Sequence, residues 1–101
     1  MTVKISTFIL SKDEASTIER TLESAAKFSD EIVVSIDDTT TDNTYDVIGR
    51  FAAKFPGKLI VYEYKWEDSF AKARNQAMDR CTGDWIMQLD AHEIVRVCSR
   101  R

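Results

Sequence analysis

Glycine and cysteine are scarce in this chain of 101 residues, and each scarcity excludes a class of site. The glycines Gly49, Gly57 and Gly83 form neither the G-x-G-x-x-G loop of dinucleotide-binding folds nor a GxxxxGK[ST] phosphate loop. The two cysteines, Cys81 and Cys98, make neither a disulfide framework nor a zinc site. We therefore expect both thiols to be free, in a reducing, cytoplasmic setting.

Long apolar runs and an excess of positive charge are also absent. No uncharged stretch reaches half of the ~20 residues that a transmembrane helix needs, so the sequence predicts no transmembrane segment and no signal-peptide core. The formal net charge of -3 gives no basic surface for nucleic acid or an anionic membrane. The hydrophobic share of 44% and charged share of 31% are those of an ordinary globular domain. We expect residues 1–101 to form one domain.

Four apolar, β-branched runs alternate with three segments of helical spacing. The predicted strands are Val3–Leu10, Glu31–Asp37, Leu59–Trp66 and Trp85–Asp90, and the helical segments span 15–26, 48–55 and 70–81. This alternation predicts an α/β fold, a Rossmann-like parallel sheet in the order 3-2-1-4 flanked by helices. The third run alternates apolar with charged residues, which is typical of an edge strand.

Carboxylates follow every predicted strand, at the sheet edge where parallel α/β folds bind ligands. Asp37 and Asp90 each end an apolar strand directly, which favours a functional role for both. The acids farther along the loops fit better as helix caps and solvated turn residues; these are Asp13, Glu14, Asp42, Glu67 and Asp68.

Asp90, His92 and Glu93 offer oxygen and imidazole ligands that suit Mn²⁺ or Mg²⁺. A bound divalent cation would offset the repulsion between like charges in one crevice. His92 is the only histidine, and from the residues alone a ligand role and a structural role stay equally open.

Arg74 lies beside the apolar stripe of the third predicted helix, and two interpretations stay open. The arginine either snorkels or pairs with Asp79, or it contacts the base or phosphate of a nucleotide.

Four segments then follow one another in the order of a known family: FILSKDEASTIERTLES, DEIVVSIDDTTTDNT, FAKARNQAM and TGDWIMQLDAHE. Together they resemble the amino-terminal part of family 2 glycosyltransferases, which have the GT-A fold. The resemblance covers almost the whole chain. It implies a nucleotide-sugar as donor, with a UDP-sugar favoured, an acceptor hydroxyl, and a divalent metal, Mn²⁺ or Mg²⁺.

The resemblance also implies roles for single residues. The end of the first strand, Phe8 to Leu10, would line the nucleotide pocket, and Asp37 would accept a hydrogen bond from the base. Arg74 would lie by the nucleotide. Asp90 would open the DXD motif near the ribose and the metal, and His92 would hold the metal that bridges the diphosphate.

Two positions depart from the family pattern. Thr39 stands where the family often has glycine, in a D-x-G-S-T-D sequence. The second aspartate of the DXD motif is replaced by His92, and imidazole still binds manganese.

In the family the catalytic base follows the DXD strand, in a half that also binds the acceptor. This sequence ends soon after Glu93, itself a poor base because it would sit in the metal shell. We therefore expect a domain truncated after the DXD-like motif, with the base outside this chain and little or no turnover alone. We expect no fifth strand, so Trp85–Met87 would form an exposed apolar edge that favours a homodimer or an aggregation-prone monomer.

A second function stays open, a non-catalytic nucleotide-binding or interaction module on the same half-fold, and turnover separates the two. A flavodoxin-like signalling domain is disfavoured, because the acid pair Asp37 and Asp38 follows the second strand instead of the first.

Overall fold

The computed structural model describes residues 3–90 and 95–100, and in these ranges it contains five strands and three helices. They are β1 (Ile5–Ser11), α1 (Ile18–Ala26), β2 (Glu31–Asp37), α2 (Thr44–Lys54), β3 (Leu59–Tyr64), α3 (Phe70–Asp79), β4 (Trp85–Leu89) and β5 (Val95–Arg100). The four strands and three helices that the sequence predicts are all present, with shifts at most of their ends.

The first four strands form a parallel sheet in the predicted order, β3-β2-β1-β4. β3 lies at one edge, as its alternating pattern predicts, and its Ile60 and Val61 are exposed. β2 is buried at every position because it lies inside the sheet with a neighbour on each side.

A fifth strand corrects one expectation. β5 runs antiparallel to β4 and covers its edge, with Leu89 opposite Val95 and Trp85 opposite Arg100. The expected exposed edge at Trp85–Met87 is therefore wrong, and the homodimer argument that depended on it falls. The pattern of β5 is weak in the sequence because its two valines, at 95 and 97, are both exposed and flank a charged residue.

Two apolar clusters lie on opposite faces of the sheet, because neighbouring residues of a strand point to opposite sides. Ile9 packs in the cluster that includes Leu22 of α1 and Phe51 of α2. Phe8 packs in the other, which includes Ala77 of α3. Helices α1 and α2 thus cover one face and α3 the other. Within the described ranges, no helix combines the length and apolar character needed to cross a membrane.

The amino ends of the strands are joined through one buried carboxylate, that of Glu31. Glu31 Oε2 accepts hydrogen bonds from Ser6 Oγ at 2.6 Å and from the Thr82 backbone N–H at 2.9 Å. Lys4 Nζ lies 3.8 Å from Glu31 Oε1. Gly83 donates its backbone N–H to Ser6 Oγ at 2.8 Å, which brings the α3–β4 loop onto β1. Cys81, which is buried, and Cys98, which is half-buried, form no disulfide.

Candidate functional site

A cleft of about 400 Å³ opens at the carboxyl ends of β1, β2 and β3, in front of the first residue of α3. Its walls are Leu10, Ser11, Lys12, Glu14, Asp37, Tyr64, Trp66 and Phe70. This is the edge at which open parallel sheets bind ligands, and small-molecule sites begin at volumes of about 300 Å³. The cleft is therefore the candidate binding site.

Asp37 supplies a buried carboxylate to the cleft, at 3% exposure. Burial alone would raise its pKa, but hydrogen bonds from Thr39 and the charge of Lys12 outweigh burial and lower the pKa of Asp37. Both Thr39 bonds go to Oδ1, from the backbone N–H at 2.8 Å and from the hydroxyl at 2.6 Å. Asp37 is thus an ionised acceptor, and among the described residues nothing donates to its Oδ2.

Thr39 fits the position where the related pattern often has glycine. Outside glycine, only Asp13 and Asp68 have positive φ among the described residues, so Thr39 has an ordinary backbone conformation. Its hydroxyl bond to Asp37 is a contact that glycine could not make.

Three aromatic side chains, which we call the aromatic wall, line the cleft together with Asp37: Tyr64, its neighbour at the end of β3, Trp66 in the loop and Phe70 at the start of α3. Tyr64 is buried at 8% exposure, whereas Phe70 is 73% exposed. Burial and the nearby carboxylate of Asp37 raise the pKa of Tyr64, so its phenol remains protonated at neutral pH. A flat ligand with an N–H group could stack on this wall and donate to Asp37.

The Trp66 ring is held by two contacts. Its indole Nε1 donates to Asp68 Oδ1 at 3.0 Å, and it meets Phe70 edge to face with the ring centroids 4.9 Å apart. Asp68 has a φ of 53°, a conformation that turns the chain sharply between Trp66 and α3. Ser69 then caps α3 by accepting from the Lys72 N–H.

Asp13 and Asp42 hold together the two loops that follow β1 and β2. Asp13 Oδ1 accepts from the Thr41 N–H at 2.7 Å, and Asp42 Oδ2 accepts from the Ala15 N–H at 3.1 Å. The side-chain bond from Thr44 is the main cause that lowers the pKa of Asp42. These two acids have the structural role that the sequence favours for them.

A second cavity, of about 300 Å³, lies beside the first and shares Leu10 and Phe70 with it. Its other walls are Arg74, Gln88 and Arg96. Arg74 is exposed on α3, and within residues 3–90 and 95–100 its guanidinium has no ion pair, with Asp79 or any other acid.

Two further candidates, Phe8 and Asp90, line neither cavity. Phe8 is fully buried in the core under α3 and lines neither cavity, in contrast to the expectation that it borders the nucleotide. Asp90 follows β4 and is half-buried. His92 and Glu93 lie outside the described residues, and within the described ones no group of three or more His, Cys, Asp or Glu side chains could hold a metal.

Sequence reasoning missed the aromatic wall. Tyr64 and Trp66 belong to the alternating run that indicates an edge strand, and Phe70 belongs to the apolar face of α3. A signal was present in the sequence: several aromatic residues lie between Asp37 and the start of the third helix. Aromatic side chains close to an acid at a strand end indicate a site for a flat ligand.

The model of the family described as Glycosyl transferase family 2 matches residues 6–97 of this chain. An uncharacterized glycosyltransferase of Rickettsia bellii (strain RML369-C) is 37% identical over 93 residues, covering 92% of this chain and 29% of that protein. The SPbeta prophage-derived glycosyltransferase SunS of Bacillus subtilis (strain 168) is 35% identical over 86 residues, covering 85% of this chain and 19% of SunS. The chain thus spans less than a third of the length of these relatives.

Solved structures share the fold. The mannosyltransferase PcManGT from Pyrobaculum calidifontis, in complex with GDP-Man and Mn²⁺, has a TM-score of 0.77 and 25% identity, covering 90% of this chain and 28% of that one. GalNAc-T7 with UDP, GalNAc and Mn²⁺ has a TM-score of 0.74 at 21% identity, covering 88% of this chain and 18% of that one, which speaks for the fold alone. With a family model that matches nearly its whole length and a sheet of this order, the chain belongs to glycosyl transferase family 2 and has the GT-A fold.

Proposed function

We propose that this chain is the donor-binding part of a glycosyltransferase that moves a sugar from a nucleotide-sugar to an acceptor hydroxyl. The observation that carries the proposal is the ionised, buried Asp37 in one cleft with the aromatic wall of Tyr64, Trp66 and Phe70. PcManGT, at 25% identity, is described with GDP-Man and Mn²⁺, which supports a nucleotide-sugar as the ligand. We favour a UDP-sugar.

In this proposal the cleft binds the nucleotide base. Asp37 accepts a hydrogen bond from a ring N–H of the base through Oδ2, while Thr39 keeps the carboxylate oriented through Oδ1. Trp66 and Tyr64 supply faces on which the base stacks. Leu10 borders both the cleft and the second cavity.

Asp90 and His92 are proposed to hold a divalent metal, Mn²⁺ or Mg²⁺. Asp90 follows β4 at the same sheet edge as Asp37, and a carboxylate with an imidazole is a ligand pair that manganese accepts. When bound there, the metal would neutralise charge that builds on the departing diphosphate.

The proposed transfer forms a bond between an acceptor oxygen and the anomeric carbon, and breaks the bond from that carbon to the nucleoside diphosphate. The acceptor hydroxyl loses its proton to a base that we assign to no residue of this chain. The chain's own residues hold the donor by its base, which fixes the anomeric carbon relative to the acceptor.

A second candidate function is a nucleotide-binding or interaction module without turnover, since we assign the catalytic base to no residue of this chain. Incubation with Mn²⁺, nucleotide-sugars and acceptors separates the two. Release of nucleoside diphosphate that depends on the acceptor supports the transferase; binding without release supports the module.

The binding proposal is tested by calorimetric titration of UDP and GDP, with and without Mn²⁺. Asp37→Asn should weaken nucleotide binding about tenfold or more, because a hydrogen bond to a charged group is worth about 1.5–3 kcal/mol. His92→Ala should remove only the part of the affinity that depends on Mn²⁺. Asp46→Asn, on the exposed side of α2, is the matched control and should bind like the parent chain.

Two outcomes would contradict the proposal. Equal nucleotide affinities for Asp37→Asn and Asp46→Asn would remove Asp37 from the site. Affinity that is the same with and without Mn²⁺ would remove the metal from Asp90 and His92.

A further inference from the structure

We infer that Arg74 and Arg96 together form an anion site, and that this site takes the phosphate groups of the ligand whose base lies in the cleft. The inference rests on the proposed nucleotide function and deepens it. Its new element is Arg96, on the strand β5.

The two cavities form one groove along the α3 side of the sheet. Leu10 and Phe70 border both, so the groove passes directly from the aromatic cleft to the side lined by Arg74, Gln88 and Arg96. Gln88 is opposite Arg96 in the β4–β5 ladder and opposite Phe8 in the β1–β4 ladder. The cationic end of the groove is therefore built by α3 on one side and by β4 and β5 on the other.

Both arginines are exposed, and within the described ranges neither guanidinium has a hydrogen bond or ion pair. Two acids of this edge are already engaged by donors, Asp37 by Thr39 and Asp13 by Thr41. Two unpaired positive charges beside one cavity repel each other and attract an anion.

Phosphate is the anion that this arrangement fits. The planar guanidinium offers paired N–H donors that match two phosphate oxygens, and the Gln88 amide can add a further donor. The order along the groove is an aromatic wall with an N–H acceptor followed by two cations, which is the order of base followed by phosphates in a nucleotide.

The test compares ligands with and without phosphate on the whole 101-residue chain, by calorimetry in metal-free buffer. The ligands are uridine, UDP and inorganic pyrophosphate. Guanosine and GDP repeat the comparison of nucleoside with diphosphate for a second base. The variants are Arg96→Gln, Arg96→Lys, which keeps the charge, and Arg50→Gln, an exposed arginine of α2 on the other face of the sheet. Circular dichroism checks that each variant is folded.

We expect Arg96→Gln to weaken UDP or GDP binding about tenfold or more, the range for a lost charge-assisted hydrogen bond, and to leave the nucleoside unchanged. Arg96→Lys should keep most of the diphosphate affinity, and Arg50→Gln all of it. Added salt should weaken the diphosphate more in the parent chain than in Arg96→Gln.

The outcomes separate this inference from the proposed function. Equal diphosphate affinities for Arg96→Gln and the parent chain overturn the anion site and leave the base cleft standing. If no nucleoside or nucleotide binds, the proposed function fails, and the pyrophosphate titration then tests the anion site by itself. The anion site is supported if the parent chain binds pyrophosphate and Arg96→Gln weakens that binding. It is overturned if pyrophosphate does not bind or if Arg96→Gln leaves its binding unaltered.

Discussion

Thr39 shows how a single side chain substitutes for glycine beside the proposed site. Its backbone has a conformation open to any residue, and its hydroxyl and N–H both bind Asp37 Oδ1. The loop is thus tied to the carboxylate that it presents, which orients Asp37 before any ligand arrives. Threonine in place of the family's frequent glycine thus adds a hydrogen bond to Asp37 that glycine could not make.

Gly83 is the residue at which a single methyl group should cost most. A Cβ there would lie 2.7 Å from the backbone N and Oγ of Ser6 and 2.8 Å from the carbonyl oxygen of Lys4. We expect Gly83→Ala to lower the free energy of unfolding by about 1–3 kcal/mol, the usual cost of overpacking. Urea denaturation followed by circular dichroism measures it.

Gly49 is the matched control for this substitution. It lies in the middle of α2, and nothing stands within 4 Å of an added Cβ. Gly49→Ala should raise stability by about 0.5–1 kcal/mol, because alanine favours a helix interior. Equal effects of the two substitutions would contradict the close approach of Gly83 to β1.

Among the elements, α3 does most to shape the groove. It supplies Phe70, its first residue, which borders both cavities, and Arg74, which lines the second. The helix begins at a capped residue directly after the turn made by Asp68. The position of its amino terminus therefore sets both halves of the proposed site.

Removal of the cap should disturb both stability and binding. The Ser69 side chain accepts from the Lys72 N–H at 3.2 Å, so Ser69→Ala should cost about 1 kcal/mol of unfolding free energy. Because the first turn of α3 then frays, nucleotide affinity should fall as well. Thermal unfolding and calorimetry measure the two effects.

Ser69→Thr keeps the hydroxyl and serves as the control, so it should stay close to the parent chain in both measurements. An alanine variant with unaltered melting temperature would show that the cap contributes nothing to α3.

At the scale of the whole molecule, the hydrogen bonds and ion pair of the Glu31 carboxylate make the free energy of unfolding depend on pH in the acidic range. Burial alone would raise the pKa of Glu31, but bonds from Ser6 and Thr82 and the charge of Lys4 outweigh it and lower the pKa below the ordinary 4.5. Since the folded pKa is below the unfolded one, the stabilisation is complete above about pH 4.5 and is lost as the pH falls through the folded value.

We predict that the free energy of unfolding falls as the pH drops below 4.5, and that it falls less steeply in Glu31→Gln. At neutral pH this variant should lose about 1–3 kcal/mol, because the amide cannot satisfy the same donors. Glu23→Gln, exposed on α1, is the control and should keep the parent profile. A pH series of urea denaturation curves that coincide for parent and Glu31→Gln would refute the prediction.

The parallel sheet could be predicted because burial on both faces leaves continuous apolar runs, as in β2. β5 could not, since its exposed valines pair through backbone hydrogen bonds that leave no trace in composition. Asp37 was identifiable because it ends a buried strand. The aromatic wall was not, because Trp66 and Phe70 meet around the turn at Asp68, and no residue pattern indicates the positive φ of that turn.

The Glu31 carboxylate also bears on how the chain is made. Its donor at Thr82 comes 51 residues later in the sequence, so α2, β3 and α3 must all be synthesised before the first residue of β2 finds its full set of partners. Until then only Ser6 and Lys4, among these partners, are present. The network around Glu31 is therefore completed only after the α3–β4 loop has been made.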